Sequence, residues 1–245
     1  MALNAKAIKA VIFDYGSTLV EFGRAQVLLC DTALANALER HFGPPDLRKL
    51  KEVRDRDRMA PYRGSPPMFK ENDLVAITTD LVRELYGVDP SPEQVADLLR
   101  VRYEIFVRAV QAPPYVHELL RRLRRKYRLG LLSNYPDGNA IRASLAQTGL
   151  ARFFDAVIVS ADIGLVKPHP VPFLTMIEAL GVKGSQAVIV GDNWVADIQG
   201  AKQAGLQAVL CRQWATPEDM PRRPDDLEPD AIISHVTQIE PLLEA

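Results

Sequence analysis

Cysteine is scarce in this chain: among its 245 residues only Cys30 and Cys211 occur, far apart and without CxxC or Cys/His spacing around them. A disulfide framework and a zinc site both lack their ligands, and a reducing, cytoplasmic setting is the expectation. Long apolar runs are missing too. No uncharged stretch reaches the ~18 residues that a membrane helix needs. The opening MALNAKAIKAVIFDYG sets basic residues before apolar ones, but the run stops at Asp14 with no small-residue cleavage site, so it reads as a strand rather than an export signal. Charge of one sign is absent as well, with 30 Lys and Arg against 31 Asp and Glu. No overall field therefore favours nucleic acid, an anionic membrane or an acidic partner, and any anion recognition must be local. There is no P-loop, no GxGxxG, no internal repeat and no low-complexity tract, which removes the usual support for nucleotide binding and for repeat architectures.

What is present is an ordinary globular composition, 47% apolar and 25% charged, at a length that suits one large domain or a core with an insert. Residues 7–14 end in a nearly continuous apolar run, as expected of a strand buried on both faces of a parallel sheet. Similar runs recur at 129–133, 156–160, 187–190, 207–211 and 231–234. Between them, 114–127, 139–148, 171–180 and 195–204 place apolar residues three and four apart, the helical period. This alternation predicts an α/β fold built on a doubly wound parallel sheet.

The first interval is different, since about 90 residues separate the first two strands and only helical patterns fill them, at 24–41, 46–59, 71–86 and 92–110. A helical insert over about 20–112 is expected, bounded by Phe22-Gly23 and by Gln111-Ala112-Pro113-Pro114, with residues 1–19 and 113–245 as the core. A Pro- and Gly-rich loop, residues 62–69, divides it.

Ligands of open parallel sheets bind at the carboxyl ends of the strands, so the residues just past each apolar run carry the information. These are Asp14-Tyr15-Gly16-Ser17-Thr18-Leu19, Ser133-Asn134, Lys167-Pro168, Gly191-Asp192 and, five residues on, Asp197. Carboxylates, a hydroxyl, a lysine and small residues that expose backbone amides suit phosphoryl transfer: one carboxylate attacks, another helps hold magnesium, and lysine and hydroxyl neutralise the transferring oxygens.

Taken in order, FDYGSTL, LLSN, the lysine of LVKPHP and VGDNWVADIQGAKQAG resemble the four motifs of the haloacid dehalogenase (HAD) superfamily, in the branch with a helical cap between the first two. The resemblance covers nearly the whole chain and implies a Rossmann-like core with a helical cap domain. It further implies a magnesium-dependent phosphate monoester hydrolase acting on a small phosphorylated metabolite through an aspartyl-phosphate intermediate. Asp14 would be the nucleophile, and Ser133 and Lys167 would hold the phosphoryl group, with Thr18 and Asn134 also binding substrate. Asp14, Asp192 and the Gly16 carbonyl would ligate Mg2+, and Asp197 would support the metal from outside, through a water or a neighbouring ligand.

One departure from the pattern weighs heavily. The second aspartate of the first motif, which protonates the leaving oxygen and activates water, is Gly16 here. Loss of such a group costs about 100- to 10,000-fold, which disfavours a phosphomutase and leaves two alternatives to the phosphatase. One is a weakened relative that binds a phosphorylated ligand or a protein. The other is a metal-independent haloacid dehalogenase, against which Asp192 in its GDN setting argues. His169 is a candidate replacement acid, and Lys70 a candidate Schiff-base lysine like that of phosphonate-cleaving relatives. Arg54 and Arg58, four apart on one helical face, are candidates to meet an anionic substrate. The basic run 121–128 is interleaved with Leu123 and Tyr127 and reads as a solvated helix face.

Overall fold

A computed structural model describes residues 3–65, 67–214 and 222–244 of the chain. The apolar runs form six strands, β1 (Ala10–Phe13), β2 (Arg128–Ser133), β3 (Ala156–Val159), β4 (Ala187–Gly191), β5 (Gln207–Cys211) and β6 (Ala231–Ile233). All pairings are parallel, in the order β3-β2-β1-β4-β5-β6. Because side chains alternate across a strand, the sheet has two apolar faces. Val11, Phe13, Leu129, Leu131, Val188 and Val190 belong to one packed layer; Ala10, Ile12, Leu132, Ile189 and Leu210 belong to the other, with Phe173 and Met176.

Ten helices accompany the sheet among the described residues. Five fall between β1 and β2, and the first four of these occupy the expected insert: α1 (Arg24–Phe42), α2 (Leu47–Arg58), α3 (Leu74–Tyr86) and α4 (Pro92–Ala109). Asp46, Asp73 and Ser91 cap the starts of α2, α3 and α4 by accepting backbone amides, each cap worth about 1 kcal/mol. These helices bury an apolar cluster of their own, Leu34, Leu38, Leu50, Val53, Leu81 and Leu98. The remaining helices are α5 (Pro114–Leu123), α6 (Gly138–Gln147), α7 (Ser160–Ile163), α8 (Pro170–Ala179), α9 (Gly200–Gln203) and α10 (Ile239–Glu244). No described helix is long and apolar enough to cross a membrane.

Two local differences from the sequence expectation stand out. The helix expected at 195–204 opens with a wider π-helical stretch, Trp194–Gln199, before α9; an apolar period does not distinguish the two windings. The helix expected from residue 71 starts at Leu74, because Lys70 and Glu71, following a left-handed Phe69 (φ 52°), are paired with the loop that leads to Lys167. There the Glu71 amide donates to Gly164 (2.9 Å) and the Val166 amide to Phe69 (2.8 Å), with Lys70 and Leu165 bridged antiparallel.

Candidate active site

Strands β2, β1 and β4 are neighbours, and the chain delivers Ser133, Asp14 and Asp192 at their carboxyl ends, around the point where strand order reverses. Asp14 is held by its own backbone, whose amide donates to Val190 at 2.9 Å. Its neighbour Tyr15 is locked beneath the sheet by a 2.7 Å hydrogen bond to Ser144 on α6. Ser133 and Asn134 are not consumed in starting that helix, since Asp137 caps α6. In the same way Asn193, not Asp192, caps the turn after β4, accepting from Val195 and Ala196.

Lys167 is 1% exposed, and its ammonium uses all three donors: to Asp14 Oδ1 at 2.7 Å, to Asp197 Oδ1 at 2.6 Å and to the Leu132 carbonyl at 2.8 Å. Burial alone would lower its pKa; the charges of Asp14 and Asp197 outweigh that and hold it above the ordinary lysine value. Asp197, also 1% exposed, accepts from the Asn193 amide with its other oxygen, at 3.0 Å. Both of its oxygens are engaged, so its observed work is to anchor the lysine and the turn.

Asp14, Asp192 and Asp197 bring carboxylate oxygens within 4.8 Å of one another. Burial pushes the Asp14 carboxyl up to about 6, Lys167 opposing and Asp197 adding to the rise. Burial, followed by the charges of Asp14 and Asp197, pushes Asp192 up to about 8. One ammonium among three carboxylates leaves an excess of about two negative charges when all are ionised. A divalent cation with a preference for oxygen ligands fits that donor set.

A cavity of about 430 Å³ opens from these residues. Asp14, Gly16, Ser133, Asn134, Lys167 and Asp192 are at its wall. Thr18 is not: it is fully buried, and its hydroxyl finds no hydrogen-bond partner among the described residues. The left-handed backbone at Ser17 (φ 57°) turns Ser17, rather than Thr18, to the cavity. His169 accepts from the Val171 amide at the start of α8 and does not line the cavity. Lys70 is exposed and outside it. Arg54 and Arg58 do line it, Arg54 while paired with Asp31 and Asp55.

Two residues at the wall escape sequence reasoning. Tyr62 receives a 3.0 Å hydrogen bond from Asn134, and Glu71 receives one from Ser160, whose hydroxyl also accepts the Tyr135 amide at 2.8 Å. Their only signal in the sequence is the Pro- and Gly-rich loop between them, which marks a break between helices without showing where it docks.

The geometry is matched by similarity to known proteins. The chain is 31% identical to a glyceraldehyde 3-phosphate phosphatase of Methanopyrus kandleri, over 90% of this chain and 91% of that one. It is 36% identical to a phosphoserine phosphatase of Thermus thermophilus over 55% and 54% of the two chains. Among solved structures it superposes on a 2-haloacid dehalogenase from Pseudomonas syringae pv. Tomato with a TM-score of 0.71 and 28% identity, covering 97% and 98% of the two chains. A HAD phosphatase from Thermococcus onnurineus gives 0.65 and 26%, covering 96% and 98%. The haloacid dehalogenase-like hydrolase pattern matches residues 8–205. With that pattern spanning the first four strands, the insert and all the clustered residues, the chain belongs to the haloacid dehalogenase-like hydrolase family.

Proposed function

We propose that this hydrolase is a magnesium-dependent phosphate monoester phosphatase acting on a small phosphorylated metabolite. The observation that carries the reading is the packing of Lys167 against Asp14 beside Asp192, with Ser133, at one end of a cavity able to hold a small organic ligand. Asp14 attacks phosphorus and takes the phosphoryl group as an acyl phosphate; water then cleaves that bond. Lys167 and Ser133 hold the phosphoryl oxygens; the Asn134 amide, expected to join them, has both hydrogens engaged by Lys167 and Tyr62 and braces the lysine loop instead, and Asp197 keeps Lys167 in place. Asp14, Asp192 and the Gly16 carbonyl would hold Mg2+, which when bound supplies charge neutralisation for the transferring group. The phosphatase names of the relatives point the same way.

Residues 20–112 serve in this reading as a cap domain over the core formed by 1–19 and 113–245, a division supported by the separate apolar cluster of the inserted helices. The cavity reaches into that cluster, where Leu34, Leu50, Val53 and Leu81 form its wall together with Phe22 and Ile77 from outside the cluster. Such a wall suits a leaving group with an apolar body, because polar hydroxyls placed there would lose their hydrogen bonds with water. The two well-separated cysteines fit a cytoplasmic setting.

The test is release of phosphate from p-nitrophenyl phosphate and a metabolite panel, with magnesium or EDTA. Wild type should turn over only with magnesium, and Asp14→Asn should fall by at least about 1,000-fold while melting as a folded protein. Activity in that variant near the wild-type level would overturn the nucleophile. The likeness to a 2-haloacid dehalogenase favours a second reading, carbon–halogen hydrolysis; halide release from 2-haloacids in EDTA would establish it. Gly16 favours a third, a binding protein, which phosphate or metal binding without turnover on any ester would establish.

A further inference from the structure

Asn134 fixes where the hydrogen of a neighbouring hydroxyl points. Its Oδ1 accepts the Lys167 amide at 2.8 Å and its Nδ2 donates to the Lys167 carbonyl at 2.9 Å. A backbone N–H only donates and a carbonyl only accepts, so the amide orientation is determined by these two bonds. The second hydrogen of Nδ2 then meets Tyr62, making the phenol oxygen the acceptor at 3.0 Å. The hydroxyl hydrogen of Tyr62 must point elsewhere, and no described residue accepts it. Tyr62 shares the cavity wall with Asp14, Lys167 and Asp192. Its ring lies edge-on to Phe69, 6.1 Å between centroids, and the Phe69 amide donates to Pro61 at 3.0 Å, so the phenol is carried on a braced loop.

We propose that Tyr62 donates this hydrogen bond to the leaving-group oxygen of the phosphate ester, as a further catalytic residue supplied by the inserted helices; the assignment rests on the phosphatase reading. The side matters. Ser133 and Lys167 approach from the sheet, whereas Tyr62 comes from the inserted segment, whose apolar wall the phosphatase reading assigns to the alcohol. Burial pushes the phenol up to about 12, so it is a neutral donor at ordinary pH. It keeps its proton throughout. The ester P–O bond breaks as the Asp14 O–P bond forms, and the departing oxygen takes a proton from water. Hydrolysis of the acyl phosphate then delivers phosphate and free Asp14, one water being consumed overall. A donor aimed at developing negative charge in a water-poor site assists most where that charge is greatest. Gly16 leaves the oxygen without a carboxylic acid, and Tyr62 covers part of that loss.

The experiment compares Tyr62→Phe with wild type on benzyl phosphate and p-nitrophenyl phosphate, esters of similar bulk with a strongly and a weakly basic leaving oxygen. We expect kcat/KM to fall about 10- to 100-fold for the benzyl ester and less than about 3-fold for the aryl ester. Equal losses on both, or no loss, overturn the assignment, since a merely structural role moves both substrates together. Titration with orthovanadate, whose apical oxygen stands where the leaving oxygen would be, is read by calorimetry and needs no turnover. Tyr62→Phe should weaken it about 10-fold or more, and unchanged affinity overturns the proposal. If wild type hydrolyses no ester while vanadate binding depends on Tyr62, the phosphatase reading fails and the Tyr62 contact stands.

Discussion

A Cβ on Gly191 would stand 2.3 Å from Oδ2 of Asp197. Strand β4 can end against this buried carboxylate only because its last residue lacks a side chain. Gly191→Ala therefore has to displace Asp197, and with it Lys167, whose ammonium Asp197 holds at 2.6 Å. We expect phosphatase turnover to fall about 100-fold, the scale of an ångström of misplacement in a catalytic array, with stability lower by about 1–3 kcal/mol from overpacking. Steady-state kinetics and thermal melting measure the two; unaltered kinetics would show that Asp197 is dispensable for placing the lysine.

Metal and protons compete for the same oxygens. The folded-state values of Asp14 and Asp192, about 6 and about 8, lie above the ordinary aspartate value of 3.8. The native state then binds more protons than the unfolded chain between these limits, so these groups make metal-free protein lose stability as pH rises from about 4 through 8. Magnesium at 100 times its dissociation constant returns about 2.7 kcal/mol, roughly 5–10 °C in Tm for a chain of this size. Melting curves in EDTA and in magnesium at pH 5.5 and 8 should show the larger magnesium shift at pH 8. Equal curves at both pH values would remove the cation from the site.

Gly16 leaves room for the carboxylate it lacks. Its backbone is not left-handed, and an added Cβ would meet Phe22 Cβ at 3.4 Å, an ordinary contact. Gly16→Asp should raise kcat for benzyl phosphate by about 10-fold or more, part of the ~100- to 10,000-fold that a general acid supplies, and change p-nitrophenyl phosphate little. Parallel initial rates on the two esters decide it, and no gain on the basic leaving group would show that acid assistance does not limit the rate.

The sheet is legible in the sequence because strands buried on both faces must be apolar throughout, and the site because parallel strands present their ligands at one edge. Asp14, Ser133 and Asp192 meet there through strand order, and Lys167 joins them from the loop after α7, clasped by Asn134. Tyr62 and Glu71 are not legible in this way. Glu71 is placed by main-chain bonds between segments some ninety residues apart, and main-chain donors leave no trace in residue identity; Tyr62 is placed by the Phe69–Pro61 bond of its own loop and by Asn134. Lys70 and Glu71 show the limit: a shift of one residue in an extended segment reverses the side chain, and the structure leaves the lysine exposed and the glutamate at the cavity wall.

The ribbon joining Phe69–Glu71 to Gly164–Val166 also supplies a clock. The amides of Glu71 and Val166 are bonded across the seam between the inserted segment and the lysine loop, so neither can exchange its hydrogen for deuterium from that bond until the seam parts. Their exchange rates count how often that seam parts, at two backbone amides that take no part in the chemistry.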